Sequence, residues 1–548
     1  MATISLCMIV RDEEAMLPGC LASVAGVVDE VIIVDTGSRD QTMAIARTAK
    51  VVEQAWADDF SAPRNRAIAE SSGDWVLVLD ADERLTRAGG LALRQAVRSD
   101  DFDCGLLPLH TATHVEAVPD AVVCGQDRVT EPAFLPRLMR RTPGLGFTGI
   151  VHENVGEWLV SQQRRPKLLP GVDIVHLGGV PDVRKTRAKI ERNIRLLERA
   201  RALQPNDVAP YGYLAHEYLE TGDRAKAREV ADSGWRVLKS GVRTLDLPVL
   251  RLATARSWIE LQSGDGTAAR ATLTEATSII SDHPDLAFIR GCSFEMDALS
   301  CEHPDDRAQR LGNALGDYRH AVECHGQLYS QKFIDGCTGW AAHVRIGTAL
   351  LLLGDASEAV AAFDRAIALN RNPAEPRWGR VEALLAGGDS ATALAELQGW
   401  LDDRPDGWVL AALVAESTGH HAPMAKWIGK AQAVLAAGFV APHRRERYHD
   451  ALAALSCYVD QAADVPGPIG QLARLTHGDY QEVRGGRARA LAGTPLQAMA
   501  RRIVRFLLTH GRGDRVRPLL DRRAESLLPG IVALTRAAVD DLYRERGA

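Results

Sequence analysis

The chain has 548 residues, too many for a single hydrophobic core, so two or more domains are expected. Its formal net charge of −6 excludes the electrostatic footprint of a nucleic-acid-binding protein. Nine scattered cysteines without metal-ligand spacing read as reduced thiols of a soluble cytoplasmic protein, Ile4 to Val10 is too short and lacks the basic flank of a secretory signal, and no apolar run reaches membrane-spanning length.

Ile4 to Val10 reads as an apolar strand, followed by Arg11-Asp12-Glu13-Glu14 and an amphipathic stretch with Leu17, Leu21 and Val24. Val31 to Val34 is a second strand that runs into Asp35-Thr36-Gly37-Ser38-Arg39-Asp40-Gln41-Thr42, then a helix from Met43 to Ala49. Val51-Val52 begins a third strand. Ser61-Ala62-Pro63-Arg64-Asn65 opens a helix that ends at Ser72-Gly73. Trp75 to Leu79 is continuously apolar, as a strand buried on both faces should be, and Asp80-Ala81-Asp82-Glu83 follows it. Strands alternating with helices predict a doubly wound, mostly parallel α/β sheet. Right-handed crossovers would then bring the ends of the strands at Val10, Val34 and Leu79 to one edge. Ligands bind at that edge in open α/β sheets, so Arg11, Asp35 and Asp80 are expected to converge on one crevice.

Two carboxylates one residue apart at such an edge are hard oxygen donors that suit Mg²⁺ or Mn²⁺ bridging to a diphosphate. Asp101-Phe102-Asp103 repeats the spacing without that context. Arg64 opens a helix, where a cation opposes the macrodipole, so it asks for an anionic or carbonyl partner. Asp58 or Asp59 is the plain alternative. Gly144-Leu145-Gly146-Phe147-Thr148-Gly149 spells G-x-G-x-x-G but lies far from the first strand, and extended sequence rather than a helix follows it. We read it as chance.

The ordered motifs Asp35-Thr36-Gly37-Ser38-Arg39-Asp40-Gln41-Thr42, Ala62-Pro63-Arg64-Asn65 and Leu79-Asp80-Ala81-Asp82 resemble those of family 2 glycosyltransferases of the GT-A fold. The chain departs at Thr36, where many members carry a second Asp. The resemblance covers roughly residues 3–200. It implies that Asp35 contacts the nucleoside, that Arg64 contacts base or phosphate, and that Asp80 borders the nucleotide sugar, beside which the convergence of strand ends also places Arg11. It also implies that Asp80 and Asp82 hold the metal. By position, His176 matches a late histidine that completes the metal shell, and Glu153 matches the base. His152, its neighbour, is the alternative to it, as the acceptor contact. The bland reading of Asp35 is a cap network with Ser38 and Asp40, and Asp40 is read mainly as a cap. His110 to Glu131 is read as acceptor-loop material. The basic run Arg184 to Asn193 is either a solvated helix face or a loop that stabilises the leaving group.

From about Pro205 the chain is rich in Ala, Leu and Arg and reads as helices. Gly354-Asp355 recurs as Gly388-Asp389, at the period of tetratricopeptide repeats. Gly222-Asp223 and Gly264-Asp265 are weaker copies, and Gly419-His420-His421-Ala422 is degenerate. Such hairpins stack into a solenoid whose concave surface binds peptide or mediates a homodimer. Beyond about residue 465 no period is clear, and these residues are read as a cap on the array. The expected domains are a GT-A domain over 1–200 and a tetratricopeptide-like helical solenoid over 206–548.

The expectation is therefore a metal-dependent inverting glycosyltransferase using Mn²⁺ or Mg²⁺. UDP-glucose is the donor favoured by the resemblance, and a peptide or protein side chain, or else a glycan, is the acceptor. The competing class is a tetratricopeptide scaffold with a degenerate nucleotide-sugar domain. A sugar nucleotidyltransferase would want a glycine-rich loop after the first strand, where this chain has Arg-Asp-Glu-Glu.

Overall fold

The computed structural model describes residues 2–396, apart from residues 130, 179–186, 243, 281, 302, 370–373, 390 and 394. They form two compact units. The first contains Met1–Tyr218, Lys226–Ala255 and Gly326–Gly336. The second contains Leu219–Ala225, Arg256–His325 and the described residues from Cys337 onward.

The first unit holds nine strands: β1 (Ile4–Val10), β2 (Glu30–Asp35), β3 (Lys50–Glu53), β4 (Trp75–Val78), β5 (Glu83–Leu85), β6 (Cys104–Thr111), β7 (Ala133–Arg140), β8 (Pro166–Leu168) and β9 (Ile174–His176). They make one sheet in the order β3-β2-β1-β4-β7-β6-β9-β5, with β8 also paired to β6. The first four strands in this order are parallel, as the alternating pattern predicts, whereas β7 runs antiparallel to both β4 and β6. The sheet is therefore mixed.

Both faces of β1 are covered, and its alternating side chains show how. Leu6 and Met8 pack with Leu17, Cys20 and Val24 of α1 (Leu17–Val24). Cys7, from the other face, packs with Ala67 and Ile68 of the helix Ser61–Ala69. Period-two alternation with helices on both sides is what makes the strand read as a near-continuous apolar run, broken only by the buried Ser5. The helix expected over Met43 to Ala49 is a single α-turn, Thr42–Ile45, that tightens into a 3₁₀ turn, Ala46–Thr48.

The edge predicted from the crossovers is present. Val10 of β1 lies opposite Asp35 of β2, and Cys7 opposite Val78 of β4, so the three strands end together. A second pairing matters as much. Glu83 of β5 lies opposite His176 of β9, and the Leu177 N–H donates to the Asp82 carbonyl at 2.9 Å. This antiparallel contact carries the late histidine to the Asp-Ala-Asp turn.

Helices dominate from Arg187–Leu203 onward. Each of the four Gly-Asp signals is a joint between helices. Gly222, Gly264, Gly354 and Gly388 have φ of 83°, 81°, 94° and 84°, the left-handed conformation that ends a helix and that glycine adopts without strain. At two joints the following Asp demonstrably caps the next turn: Asp265 accepts from the Ala268 N–H at 2.8 Å, and Asp389 from the Thr392 N–H at 3.1 Å. The degenerate copy at Gly419 and the stretch beyond 465 lie outside the described residues. Among the described residues no helix is long and apolar enough to cross a membrane.

Candidate active site

Two turns interlock at the ends of β1 and β2. The Asp12 N–H donates to Ser38 Oγ at 3.0 Å, and Asp12 Oδ1 accepts from the Arg39 N–H at 2.7 Å. Glu14 and Asp40 exchange similar bonds, with the Gln41 N–H on Glu14 Oε2 at 2.9 Å and the Glu14 N–H on Asp40 Oδ2 at 3.0 Å. Asp35 is buried. Its Oδ2 accepts from the Gly37 and Ser38 N–H groups at 2.9 and 3.0 Å, and its Oδ1 from the Ser38 hydroxyl. Asp35 thus shapes its own turn, and Asp40 accepts from the Thr42 N–H at 2.9 Å, as a cap does. Arg11 sits half-exposed, with its Nε 3.9 Å from Asp12.

Arg64 is the hub of the site. Only 4% of it is exposed. It does not pair with Asp58, which is bound to Arg195, or with Asp59, whose Oδ1 caps Ser61 and Ala62. Instead its Nε donates to Glu153 Oε1 at 2.8 Å and its Nη2 to Asp80 Oδ1 at 3.1 Å. One guanidinium therefore joins the proposed base to the first carboxylate of the Asp-x-Asp. Its Nη1 is buried without a hydrogen-bond partner. Asn65, the next residue, clamps a loop: Phe147 N–H donates to its Oδ1 at 2.7 Å, and its Nδ2 donates to the Phe147 carbonyl at 2.8 Å. The Gly-rich segment 144–149 is thus held by the Arg-Asn motif, and it leads into the loop bearing Glu153.

That loop is closed by paired N–H···O bonds between Thr148 and Asn154 at 2.9 and 3.0 Å. His152 takes a left-handed φ of 51° inside it. Its ring lies flat on Tyr213, centroids 3.9 Å apart and planes within 9°. Crowding by surrounding protein, then the nearby Arg251, lowers its pKa below the ordinary histidine value, although solvent still reaches the residue.

Two residues of the cluster escaped the sequence reading. Arg137 of β7 donates from Nη2 to Asp80 Oδ2 at 3.1 Å and also binds Glu83. Glu83, 1% exposed, accepts the Asp80 N–H on Oε2 at 3.0 Å and so pins the Asp-Ala-Asp turn from behind. Burial alone would raise the Asp80 carboxyl, but Arg137 and Arg64 outweigh it and hold it well below the usual range. For Glu83, burial, reinforced by Asp80 and Asp82, wins over Arg137 and pushes the carboxyl well above that range. A cation inside the apolar strand Phe134-Leu135-Pro136-Arg137-Leu138 was the available signal, because a buried arginine demands buried carboxylates.

Asp82 turns the other way from Asp80. Its Oδ2 lies 3.5 Å from His176 Nε2. Burial lowers the His176 pKa, but Asp82, then Glu83 and Asp80, outweigh it and leave the imidazole raised overall. A Cβ on Gly178 would fall 1.7 Å from Asp82 Oδ2 and 3.1 Å from His176 Nε2, so any larger residue there would push the Asp82 carboxylate from this position. The donor types suit a divalent cation: carboxylate oxygens and an imidazole nitrogen, in a cluster where Arg64 and Arg137 pair with Asp80, Glu83 and Glu153 while Asp82 pairs with His176. A tighter trio of donors, all within 4.8 Å of one another, occurs in the second unit at Asp282, His320 and Cys324.

The remaining candidates have structural partners. Asp103 of the second Asp-x-Asp accepts from the Arg165 N–H at 3.0 Å, and Asp101 pairs with Lys167. His110, only 4% exposed, hydrogen-bonds Asp173 Oδ1 at 2.9 Å and accepts from Arg128 at 3.2 Å, so it belongs to the fold rather than to an open acceptor loop. Of the basic run 184–193, residues 184–186 lie outside the described residues, and the rest opens the helix Arg187–Leu203.

Residues 5–98 match the model of glycosyl transferase family 2, and residues 341–373 match that of a tetratricopeptide repeat. A TPR repeat-containing protein of Synechococcus elongatus is 39% identical over 250 residues, 44% of this chain and 57% of that protein. The SPbeta prophage-derived glycosyltransferase SunS of Bacillus subtilis is 24% identical over 212 residues, 37% of this chain and 46% of that protein. An uncharacterized glycosyltransferase of Rickettsia typhi is 41% identical over 91 residues, 16% of this chain and 30% of that protein. The chain thus spans about half the length of the first two relatives and less of the third. Residues 5–98, which hold every motif from the first strand to the Asp-Ala-Asp turn, are a glycosyl transferase family 2 segment, followed farther along by a tetratricopeptide repeat at 341–373.

Proposed function

We propose that this protein is a divalent-metal-dependent, inverting glycosyltransferase that uses a UDP-sugar, with UDP-glucose the favoured donor. The observation that carries this reading is the Arg64 bridge from Glu153 to Asp80, beside the Asp82–His176 pair at the same sheet edge. Asp35 and Arg11 border the nucleoside end. Asp82 and His176, with Asp80 beside them, would hold Mn²⁺ or Mg²⁺. The cation would neutralise charge on the departing diphosphate. Arg64, whose Nη1 has no hydrogen-bond partner within the protein, would donate to a phosphate or sugar oxygen. Glu153 would take the acceptor's proton as the acceptor attacks the anomeric carbon from the face opposite the leaving UDP, which inverts the configuration. The acceptor is a peptide or protein side chain, because helical arrays present concave peptide-binding surfaces. A glycan acceptor is the alternative outcome of the test.

The test is a donor screen. The protein is incubated with Mn²⁺ and each common UDP-, GDP- and dTDP-sugar, and nucleotide release is followed beside Asp82→Ala. UDP released from one donor, and lost in the variant, supports the reading. Full activity in Asp82→Ala would overturn the metal assignment. Absence of both release and metal-dependent UDP binding would favour the scaffold reading.

A further inference from the structure

The loop carrying Glu153 is not held by the sheet alone. Tyr213, on the helix Ala209–Thr221, supplies the flat surface under His152. Arg251, on the helix Asp246–Gln262, lies 5.0 Å from the Tyr213 ring centroid and 4.4 Å from that of Phe333, a stacked arrangement of cation and aromatics. The segment bearing Phe333 is itself fastened to the sheet, since the Phe134 N–H of β7 donates to the Ser330 carbonyl at 2.7 Å and Lys332 pairs with Glu131. Leu245 closes the far end of the loop, where a Cβ on Gly156 would meet its Cδ1 at 2.8 Å. Two stretches of the helical sequence, at Tyr213 and at Leu245, thus reach this loop and the one bearing Phe333 backs Arg251, all within the first unit.

Packing alone does not need this arrangement. An aliphatic side chain would cover His152 equally well, whereas a parallel ring at stacking distance fixes the orientation of the imidazole. A histidine in the left-handed region persists only where its surroundings hold it there. Its φ and ψ also set the direction of the next residue, Glu153.

We propose that Tyr213 is a positioning residue of the active site: through His152 it fixes the loop that presents Glu153 to Arg64, so the helical sequence completes the catalytic centre. The inference rests on the reading of Glu153 as the base. The helical region then does more than bind acceptor or form a dimer.

The test uses the full chain with Tyr213→Leu and Tyr213→Phe. The Leu variant is expected to lose about tenfold or more in kcat, on the scale of a displaced reacting group, with the donor KM moved less than about twofold. Its His152 ring protons, no longer shielded by the aromatic ring, should shift downfield in NMR spectra of histidine-labelled protein. The Phe variant should restore both properties. A wild-type kcat in Tyr213→Leu, or unmoved His152 resonances, would overturn the proposal. If Tyr213→Leu does not fold, Tyr213→Met, which keeps the bulk without the ring, serves with the same two readouts. A wild-type protein that turns over no donor would sink the transferase reading, and the His152 resonances would then still decide the positioning.

Discussion

Gly178→Ala is the sharpest probe of the metal assignment, because it alters neither a charge nor a proposed ligand. A Cβ there would lie 1.7 Å from Asp82 Oδ2, against the 3.4 Å at which ordinary contacts begin. The carboxylate must therefore retreat by about 1.7 Å, and the same methyl crowds His176 Nε2 at 3.1 Å. Asp82 has solvent to swing into, so stability should fall by no more than about 1 kcal/mol. Function should suffer far more. A displacement of this size in a catalytic group costs on the order of 10² in rate. The assay is UDP release at saturating donor across a Mn²⁺ titration, with wild type, Gly178→Ala and Asp82→Asn in parallel. We expect the two variants to lose activity together while their melting temperatures stay near wild type. Gly178→Ala with wild-type turnover and wild-type Mn²⁺ dependence would show that the Asp82 carboxylate is not needed where it stands.

Three further outcomes follow from the same geometry. Glu153→Gln should lower kcat by roughly 10²–10⁴ while UDP binding persists, and calorimetry showing lost UDP binding would move Glu153 from the base to the nucleotide site. Arg137→Met strips the main cationic partner from the buried Glu83 and should destabilise the protein by about 3 kcal/mol in denaturant unfolding; a loss under about 1 kcal/mol would refute the buried-pair reading. Burial pushes the Cys7, Cys20 and Cys104 thiols up to about 12, so at pH 8 they should resist alkylation while the exposed Cys124 labels. Because these folded-state pKa values lie above the unfolded value of 9.0, their contribution to stability is intact below pH 9 and lost as pH rises toward 12. Circular dichroism across that range would report the loss.

The legible parts of this chain are those whose causes are local. Trp75 to Leu79 announces a strand because five apolar residues in a row need covering on both faces, and the Asp pair that follows marks where it leaves the sheet. The Gly-Asp joints are equally local: a left-handed glycine ends one helix and an aspartate starts the next. Arg64 was half legible. Its place at a helix start demanded an anion, but choosing Asp80 and Glu153 over Asp58 and Asp59 required knowing that Arg195 and the helix's own N–H groups take the nearer pair. Arg137 and Glu83 were missed because their meaning is mutual: both meet at Asp80, which antiparallel pairing of β4 with β7 sets near Arg137 and whose turn leads on to Glu83. Tyr213 was less accessible still. Nothing in Tyr211-Gly212-Tyr213-Leu214 distinguishes a core aromatic from one that stacks on a catalytic loop.

The charges at the sheet edge make a final demand on the site. With Asp80, Asp82, Glu83 and Glu153 all ionised, Arg64 and Arg137 balance two of the four charges, and Arg84 acts on Asp82 from farther off. Two groups ease this demand by favouring their protonated forms: burial, then Asp80 and Asp82, push Glu83 up to about 7, and Asp82 raises the His176 pKa against its burial. A divalent cation at Asp82 and His176 would compete with those protons, since an imidazole must be neutral to bind a metal and a cation beside Glu83 favours its ionised form. Mn²⁺ affinity should therefore rise between pH 6 and pH 8, with protons released into the buffer on binding. For Glu83 itself the linkage has the same sign. Its folded pKa lies above the unfolded 4.5, so its stabilising contribution is complete below pH 4.5 and lost as pH rises through 7, and the stabilisation gained from Mn²⁺ should be larger at pH 8 than at pH 6. Calorimetric titration with MnCl₂ in two buffers of different ionisation enthalpy measures both affinity and proton release. Equal affinity at the two pH values, with no protons released, would mean that the cation does not bind at this cluster.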